Sequence, residues 1–260
     1  MKLFRFTALL ALVASFAAPA SAAEWTVGAN IGNVPWEFQD ASGKFVGFEI
    51  DLVNEVAKRT GNTVEIENIP FNGLFPAVQS GRIQIAVSSI TITAKRLESL
   101  AFAQPYYDSD QSLSVLKGSK INALADLGGA TVGVDTASTG DIWATENTAK
   151  YRLAKISRYE GLAPAMLDLA AGRIDGYISD IPALQYYVKD KPAYKVVERI
   201  PTGEQYSIMM AKGSPLLPKV NDTITKLKEE GFVAKLHEHW FGAKPEATTS
   251  TVMKADMPKL

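Results

Sequence analysis

Cysteine is missing altogether from this 260-residue chain, and histidine occurs only twice. Without a thiol there is no disulfide, no thiolate metal site, no cysteine nucleophile and no lipid attached through sulfur. His237 and His239 lie two positions apart, which on a helix turns them about 200° from each other. They cannot grip one metal ion from a single face, and they read as surface positions of a terminal helix. No metal and no cofactor is expected. An excess of charge is missing as well, since 27 lysines and arginines stand against 28 acidic residues. That balance offers no basis for binding nucleic acid or an anionic membrane surface. Nor does a Gly-x-Ser-x-Gly elbow occur, which removes the simplest signature of serine hydrolysis.

Long hydrophobic runs are equally scarce. One stretch, Phe6 to Ala18, follows the positive residues Lys2 and Arg5 and precedes the small residues Ala20-Ser21-Ala22. This is the layout of a secretory signal spanning residues 1–22, with cleavage before Ala23. The run is shorter than the roughly 20 residues of a spanning helix, which disfavours the alternative of an uncleaved anchor. The expectation is an exported, soluble monomer without a membrane anchor, carrying a net charge of about −3 once the signal is removed. A free protein needs a space that retains it, which points to a Gram-negative periplasm.

What the chain does contain is an internal repeat. Thr26-Val27-Gly28-Ala29-Asn30 returns as Thr131-Val132-Gly133-Val134-Asp135, and Gly73-Leu74-Phe75-Pro76-Ala77 returns as Gly161-Leu162-Ala163-Pro164-Ala165. The segment Gly81 to Ser89 then returns as Gly172 to Asp180. Three matches in one order imply two similar units, too few for a solenoid. Each unit reads as α/β. Val64 and Ile66, then Ile83, Ile85 and Val87, alternate as strands do. Leu74, Ala77 and Val78 recur at helical spacing, with Pro76 expected in the first turn. Ile50, Val53, Val56 and Ala57 form a second helical stripe, closed by Gly61. Strands alternating with helices predict mostly parallel sheets with covered faces.

In such sheets ligands sit beyond the carboxyl ends of the strands. The polar residues at those places are Asn30 and Ser88-Ser89 in the first unit, Asp135 and Ser179-Asp180 in the second. Shortly after, Thr91 and Thr93 precede Arg96. Thr93 is placed to cap a helix with Arg96 in its first turn, and a guanidinium beside exposed amides can grip both oxygens of a carboxylate. Glu49 and Asp51 open another helix and read as capping and dipole partners, not as acid/base catalysts.

Gly47-Phe48-Glu49-Ile50-Asp51-Leu52 with Val56-Ala57 resembles the signature of the family 3 solute-binding proteins, which deliver polar amino acids to ABC importers. The likeness extends through Ser88 to Arg96, Ala101-Phe102, Pro105-Tyr106-Tyr107 and the closing Trp240-Phe241-Gly242. It implies a two-lobed periplasmic binding protein of type II, each lobe a mostly parallel sheet flanked by helices, joined by a two-strand hinge. Lobe 1 would comprise 23–109 and 206–242, lobe 2 would comprise 110–205, and 243–260 would form a flexible tail. The hinge segments would be Ser109-Asp110-Gln111 and Gly203-Glu204-Gln205.

The resemblance also implies roles. Arg96 would bind the ligand α-carboxylate, helped by Ser88, Ser89 and Thr91 and by Ser138-Thr139 of the second lobe. Asp180 would accept from the α-ammonium, and Phe71 would lie against the ligand side chain. Several positions depart from the common pattern. Asn33 replaces a covering aromatic, leaving Trp36 to supply that wall if anything does. Gly140 replaces a frequent polar residue. Asn30 stands where binders of cationic amino acids often carry aspartate, whereas Asp135 would suit a cationic or donor-rich side chain. The implied partners are a small amino acid and the membrane permease of an ABC transporter. Two other classes compete: a periplasmic dehydratase of the cyclohexadienyl type on the same fold, and a ligand-binding sensor domain.

Overall fold

The computed structural model describes residues 23–260, so the signal expected over 1–22 lies outside the described residues. In chain order the elements are β1 (Ala23–Ala29), β2 (Phe38–Gln39), β3 (Phe45–Val46), α1 (Phe48–Arg59), β4 (Asn62–Asn68), α2 (Phe71–Gln79), β5 (Ile85–Ala86), α3 (Ala94–Leu97), β6 (Leu100–Phe102) and β7 (Tyr107–Leu116). A short 3₁₀ turn at Leu124–Leu127 precedes β8 (Thr131–Asp135), α4 (Thr139–Tyr151), β9 (Lys155–Tyr159), α5 (Leu162–Ala170), β10 (Gly176–Asp180) and α6 (Ile181–Val188). The chain ends through β11 (Tyr194–Tyr206), β12 (Met209–Ala211), α7 (Leu217–Glu229) and α8 (Phe232–Phe241).

The repeat becomes two sheets of matching topology. One has the strand order β4-β1-β5-β12-β6, the other β9-β8-β10-β7-β11. In each, the first three strands pair in parallel, and the second and third of them carry the repeated sequence. The last two strands are antiparallel additions. Each sheet is therefore parallel only over its repeated half. The antiparallel half exists because the chain must leave the first sheet and return to it, and a chain that comes back runs opposite to the one that left.

Gly28 and Gly133 hold equivalent places in β1 and β8. A Cβ at Gly28 would stand 2.4 Å from the Ile83 Cδ1, and one at Gly133 would stand 2.6 Å from the Ile174 Cδ1. Ile83 and Ile174 are themselves equivalent in the repeat, so both units seat an isoleucine over a bare glycine. Apolar clusters cover both faces of each sheet. Trp25, Val27, Leu52 and Val56 pack with α7 and α8 on one face of the first sheet, and Leu74, Val78, Ile83 and Ile90 fill the other. In the second sheet Val132, Val134 and Leu113 pack with Ala144 of α4, while Tyr177 packs with Ala165, Met166 and Leu169 of α5 and Leu184 of α6.

Between the sheets runs one antiparallel ribbon. β7 and β11 pair along almost their whole length, with an irregularity between Ile200 and Glu204. At that irregularity Asp110 is buried and accepts from the amides of Thr202 and Gly203, both at 2.7 Å, and from the Arg199 guanidinium. These donors hold the Asp110 carboxyl below its usual range. The segments around it coincide with the two expected hinge segments.

Three local expectations are corrected. Pro76 does not open its helix: α2 begins at Phe71, so the proline sits inside it. The helix runs three residues earlier than its counterpart α5, which does begin at the repeated leucine. Glu49 and Asp51 lie in the first turn of α1, but neither caps it, because Gly47 occupies the cap without a side-chain bond. The segment 243–260 is not a loose extension. Ser250 and Thr251 are buried, and Ser250 accepts from Gln205 at 2.8 Å and donates through both its amide and its hydroxyl to Asp108. Lys228, buried on α7, donates to the Gln104 side chain and to the carbonyls of Pro105 and Met253. Two demands that no local pattern reveals, a buried ammonium needing acceptors and a strand carboxylate needing donors, hold the segment down.

Truncation after Gly242 should therefore lower stability by about 1–3 kcal/mol, the cost of leaving a buried donor short of a partner. Chemical denaturation of the full-length and truncated proteins measures this.

Candidate ligand-binding site

The strand ends of the two repeats face each other. Asn30 follows β1, Ser88-Ser89 follow β5, Asp135 ends β8 and Asp180 ends β10. Together with Asn33, Phe71, Thr91, Ser138, Thr139, Leu162 and Ser179 they line one cleft. Ten of the twelve side chains singled out from the sequence line this cleft; Arg96 and Trp36 do not. The cleft encloses about 30 Å³, room for about two waters. Its walls touch directly. The Ser89 hydroxyl donates to Asp180 at 3.1 Å, and the Thr91 and Thr139 hydroxyls approach to 3.5 Å. The conformation is closed.

A buried apparatus holds the first-sheet wall. Ser89 has a left-handed backbone, with φ of 44°, an uncommon state for a residue with a Cβ. Its amide donates to both oxygens of Glu49, at 2.9 and 3.0 Å, and Glu49 also accepts from the Tyr106 hydroxyl. Glu37, fully buried beside it, accepts from Ser88 at 2.6 Å and from Asn33 at 3.1 Å. Burial raises both carboxyls, and the neighbouring Glu49 raises Glu37 further. Two adjacent buried carboxylates cannot both be ionised, so Glu37 keeps the proton. The acidic residue of the α1 signature thus supports the serine loop from behind.

Thr93 caps α3 by accepting from the Arg96 amide at 3.1 Å, as its position predicted. Arg96 is 8% exposed and lies beside the cleft. Its guanidinium donates to the Thr91 carbonyl at 2.7 Å on its own side and to the Ala137 carbonyl at 3.2 Å on the other. Phe71 and Phe75 lie 5.6 and 4.9 Å from its central carbon, which steadies the cation against their ring faces. Burial lowers its pKa to about 10, with Glu204 and Asp180 opposing the shift. It therefore remains a cation at neutral pH.

On the second wall Ser138 caps α4, accepting from the Asp141 amide at 3.0 Å. Gly140 has no room for a side chain, because a Cβ there would lie 2.8 Å from the Gln111 side-chain oxygen. Gln111 fills the space that a polar residue at 140 would occupy. Its amide nitrogen donates to Asp180 at 2.6 Å, to Thr139 at 3.2 Å and to both Glu204 oxygens. Glu204 in turn accepts from Thr91 at 2.7 Å and Thr139 at 2.9 Å. Gln111 and Glu204 were legible only as hinge residues; the available signal was the polar run Asp108 to Ser112 inside a buried strand. Burial first, and then the Glu204 charge, push Asp180 up to about 7, while burial pushes Asp135 up to about 6.

Trp36 is corrected from cleft wall to core. It is 0% exposed and lies edge-on to Phe48, Tyr107 and Tyr206. Its place is set by this aromatic cluster, not by a ligand. Phe71 is the aromatic ring that lines the cleft. His237 is half-buried, stacked on Tyr107 and bonded to the Ala243 carbonyl, and His239 is exposed. Among the described residues no cluster of three or more metal-ligating side chains occurs.

Residues 25–243 match the bacterial extracellular solute-binding proteins, family 3. The chain belongs to that family. It is 33% identical over 222 residues to a probable histidine-binding protein of Neisseria gonorrhoeae, covering 84% of this chain and 82% of that one. Among solved structures, an ancestral arginine-binding protein bound to arginine superimposes with a TM-score of 0.81 at 34% identity, covering 85% of this chain and all of the other. An ancestral amino-acid-binding protein described as a precursor of cyclohexadienyl dehydratase gives a TM-score of 0.75 at 33% identity, covering 84% of this chain and 95% of the other. The two-lobed α/β fold and the solute-binding class are thereby established for this family 3 protein. No helix among its described residues is long and apolar enough to cross a membrane.

Asp180 and Asp135 bind protons more tightly in the folded chain than in the unfolded one, where aspartate titrates near 4. The folded state therefore holds more protons between about pH 4 and 7, and stability falls as pH rises through that window. Thermal melts from pH 4.5 to 7.5 should show this decline, and Asp180→Asn should flatten it.

Proposed function

We propose that this family 3 protein is the periplasmic substrate-binding component of an ABC importer for a polar amino acid. The observation that carries the reading is the placement of opposite charges across one cleft. Asp180 lines the cleft from the side of the second sheet, and Arg96 lies buried beside it on the side of the first, donating across to the Ala137 carbonyl. A zwitterion leaving water needs both of its charges met. The α-carboxylate goes to Arg96, Ser89 and Thr91, with the Ser138-Thr139 helix start opposite. The α-ammonium goes to Asp180, whose pKa is raised by burial and by the nearby Glu204 charge, two effects that a cation in contact would offset. Phe71 covers the side chain, and Ser88, Asn30, Asn33 and Asp135 complete the surroundings.

The lobes are assigned as 23–109 with 206–242, and 110–205, meeting at the Asp110 irregularity. Closure is a hinge motion in which a few residues absorb the dihedral change. A ligand that satisfies both walls at once favours the closed state by its differential affinity. The protein acts as a freely diffusing monomer and hands its cargo to the membrane permease. The histidine- and arginine-binding names of its relatives support this assignment over the dehydratase alternative.

Arg96→Ala should abolish binding of every amino acid that the wild type takes, while the fold persists. Isothermal titration with circular dichroism as the folding control tests this. Near-wild-type affinity in the variant would sink the assignment.

A further inference from the structure

One end of the cleft contains polar groups that the zwitterion does not use. Asp135 ends β8 and lines the cavity. Its Oδ1 is shielded from solvent and has no hydrogen-bond partner. Next to it stands the hydroxyl of Tyr177, a residue 0% exposed, which makes no hydrogen bond of ordinary geometry but has the Asp135 carboxyl and Ser179 beside it. The placement follows from the strands. Tyr177 in β10 is in register with Gly133 in β8, and Gly133 and Asp135 share a face because strand side chains alternate. A Cβ at Gly133 would stand 3.2 Å from the Tyr177 ring, so the bare glycine lets the ring lie along β8 and carry its hydroxyl to Asp135. From the first sheet Asn30 reaches the same end, its Oδ1 lying 3.4 Å from where a Gly161 Cβ would be.

Buried polar atoms in folded proteins are almost always paired, and each exception calls for a reason. Here two lie together at a cavity wall, one of them a carboxylate oxygen that can only accept. The Tyr177 hydroxyl and the Gly161 amide at the start of α5 both lie toward the same carboxyl group, yet Oδ1 has no hydrogen bond of ordinary geometry. No lysine, arginine or histidine lines the cavity. The missing partner is therefore a donor brought from outside, and a cationic one answers best, because it also offsets the cost of keeping a carboxylate in a dry site.

We infer that Asp135, with Tyr177 beside it, is the specificity-determining group for the ligand side chain, and that it selects an amino acid ending in a cationic N–H donor. This rests on the amino-acid-binding reading above. It adds that the side-chain charge is met from the second sheet, the wall that also carries Asp180. An amino acid with a cationic side chain thus presents two positive ends to the second wall and one negative end to Arg96. Its side chain as well as its backbone then drives closure, whereas a neutral side chain would contribute only through contact.

The test is calorimetric titration of wild type, Asp135→Asn and Tyr177→Phe with L-arginine, L-lysine, L-glutamine and L-glutamate. Wild type should bind arginine or lysine at least tenfold more tightly than glutamine. Asp135→Asn should lose at least tenfold for the cationic ligand and change little for glutamine, abolishing the preference. Tyr177→Phe should weaken cationic binding several-fold and leave glutamine binding little changed, with circular dichroism as the folding control. A wild type that prefers glutamine or glutamate overturns the inference and leaves amino-acid binding standing. So does an Asp135→Asn variant whose losses are equal for all ligands, or one that keeps the cationic preference. Wild type that binds none of the four, nor any other amino acid, overturns both.

Discussion

Charge held in a place with little water is the constraint on which this molecule is built. Asp180, Glu204 and Asp135 come together around a closed cleft, and Arg96 alone stands near them as a cation, bonded to two carbonyls and to none of the carboxylates. Asp180 and Glu204 are kept in place by neutral donors: Gln111, Ser89, Thr91 and Thr139. Neutral donors hold position but do not neutralise. Such an arrangement leaves an electrostatic deficit that a zwitterion can fill.

That arrangement depends on a second layer which never reaches the cleft. Glu49 pins the left-handed Ser89, while a protonated Glu37 organises Ser88 and Asn33. A buried carboxylate is costly unless its lone pairs are met, and here both of the Glu49 oxygens are. The strained turn and the buried acid therefore compensate each other. The loop is rigid before any solute arrives, so binding does not have to order it. Asp110 does similar work in the β7–β11 ribbon, fixing the irregular point between Ile200 and Glu204 through backbone donors.

The fold and most of the cleft were readable because they depend on short-range patterns. Strand and helix periods are local, and a repeat exposes topology directly: matching strands carry matching ends, so Asn30, Ser89, Asp135 and Asp180 could be placed without coordinates. What escaped depends on tertiary partners. Trp36 lies close in sequence to Asn33, yet an aromatic cluster drawn from α1, β7, β11 and α8 claims it. Gln111 and Glu204 sit in strands whose polar side chains look solvent-facing until the ribbon is seen to cross the cleft floor. The terminal segment has no period at all, and only Lys228 and Asp108, far away in sequence, explain why it is docked. Pro76 shows the limit of a rule: a helix nine residues long can take an interior proline when its outer side needs no donor.

The continuity of the β7–β11 ribbon has a consequence for the order in which the molecule can assemble. All strands of the second sheet lie between residues 107 and 206, in one uninterrupted stretch. The first sheet is split, with β12 at its centre-right supplied only after that stretch has passed. A chain threaded out from its N-terminus can therefore complete the inserted sheet while the outer one is still missing a strand and the two helices, α7 and α8, that cover it. Long-range pairings form late because loop closure opposes them. Until residue 241 arrives, the face of β1 and the aromatic cluster around Trp36 remain uncovered, and that interval is when the nascent protein is most exposed to aggregation.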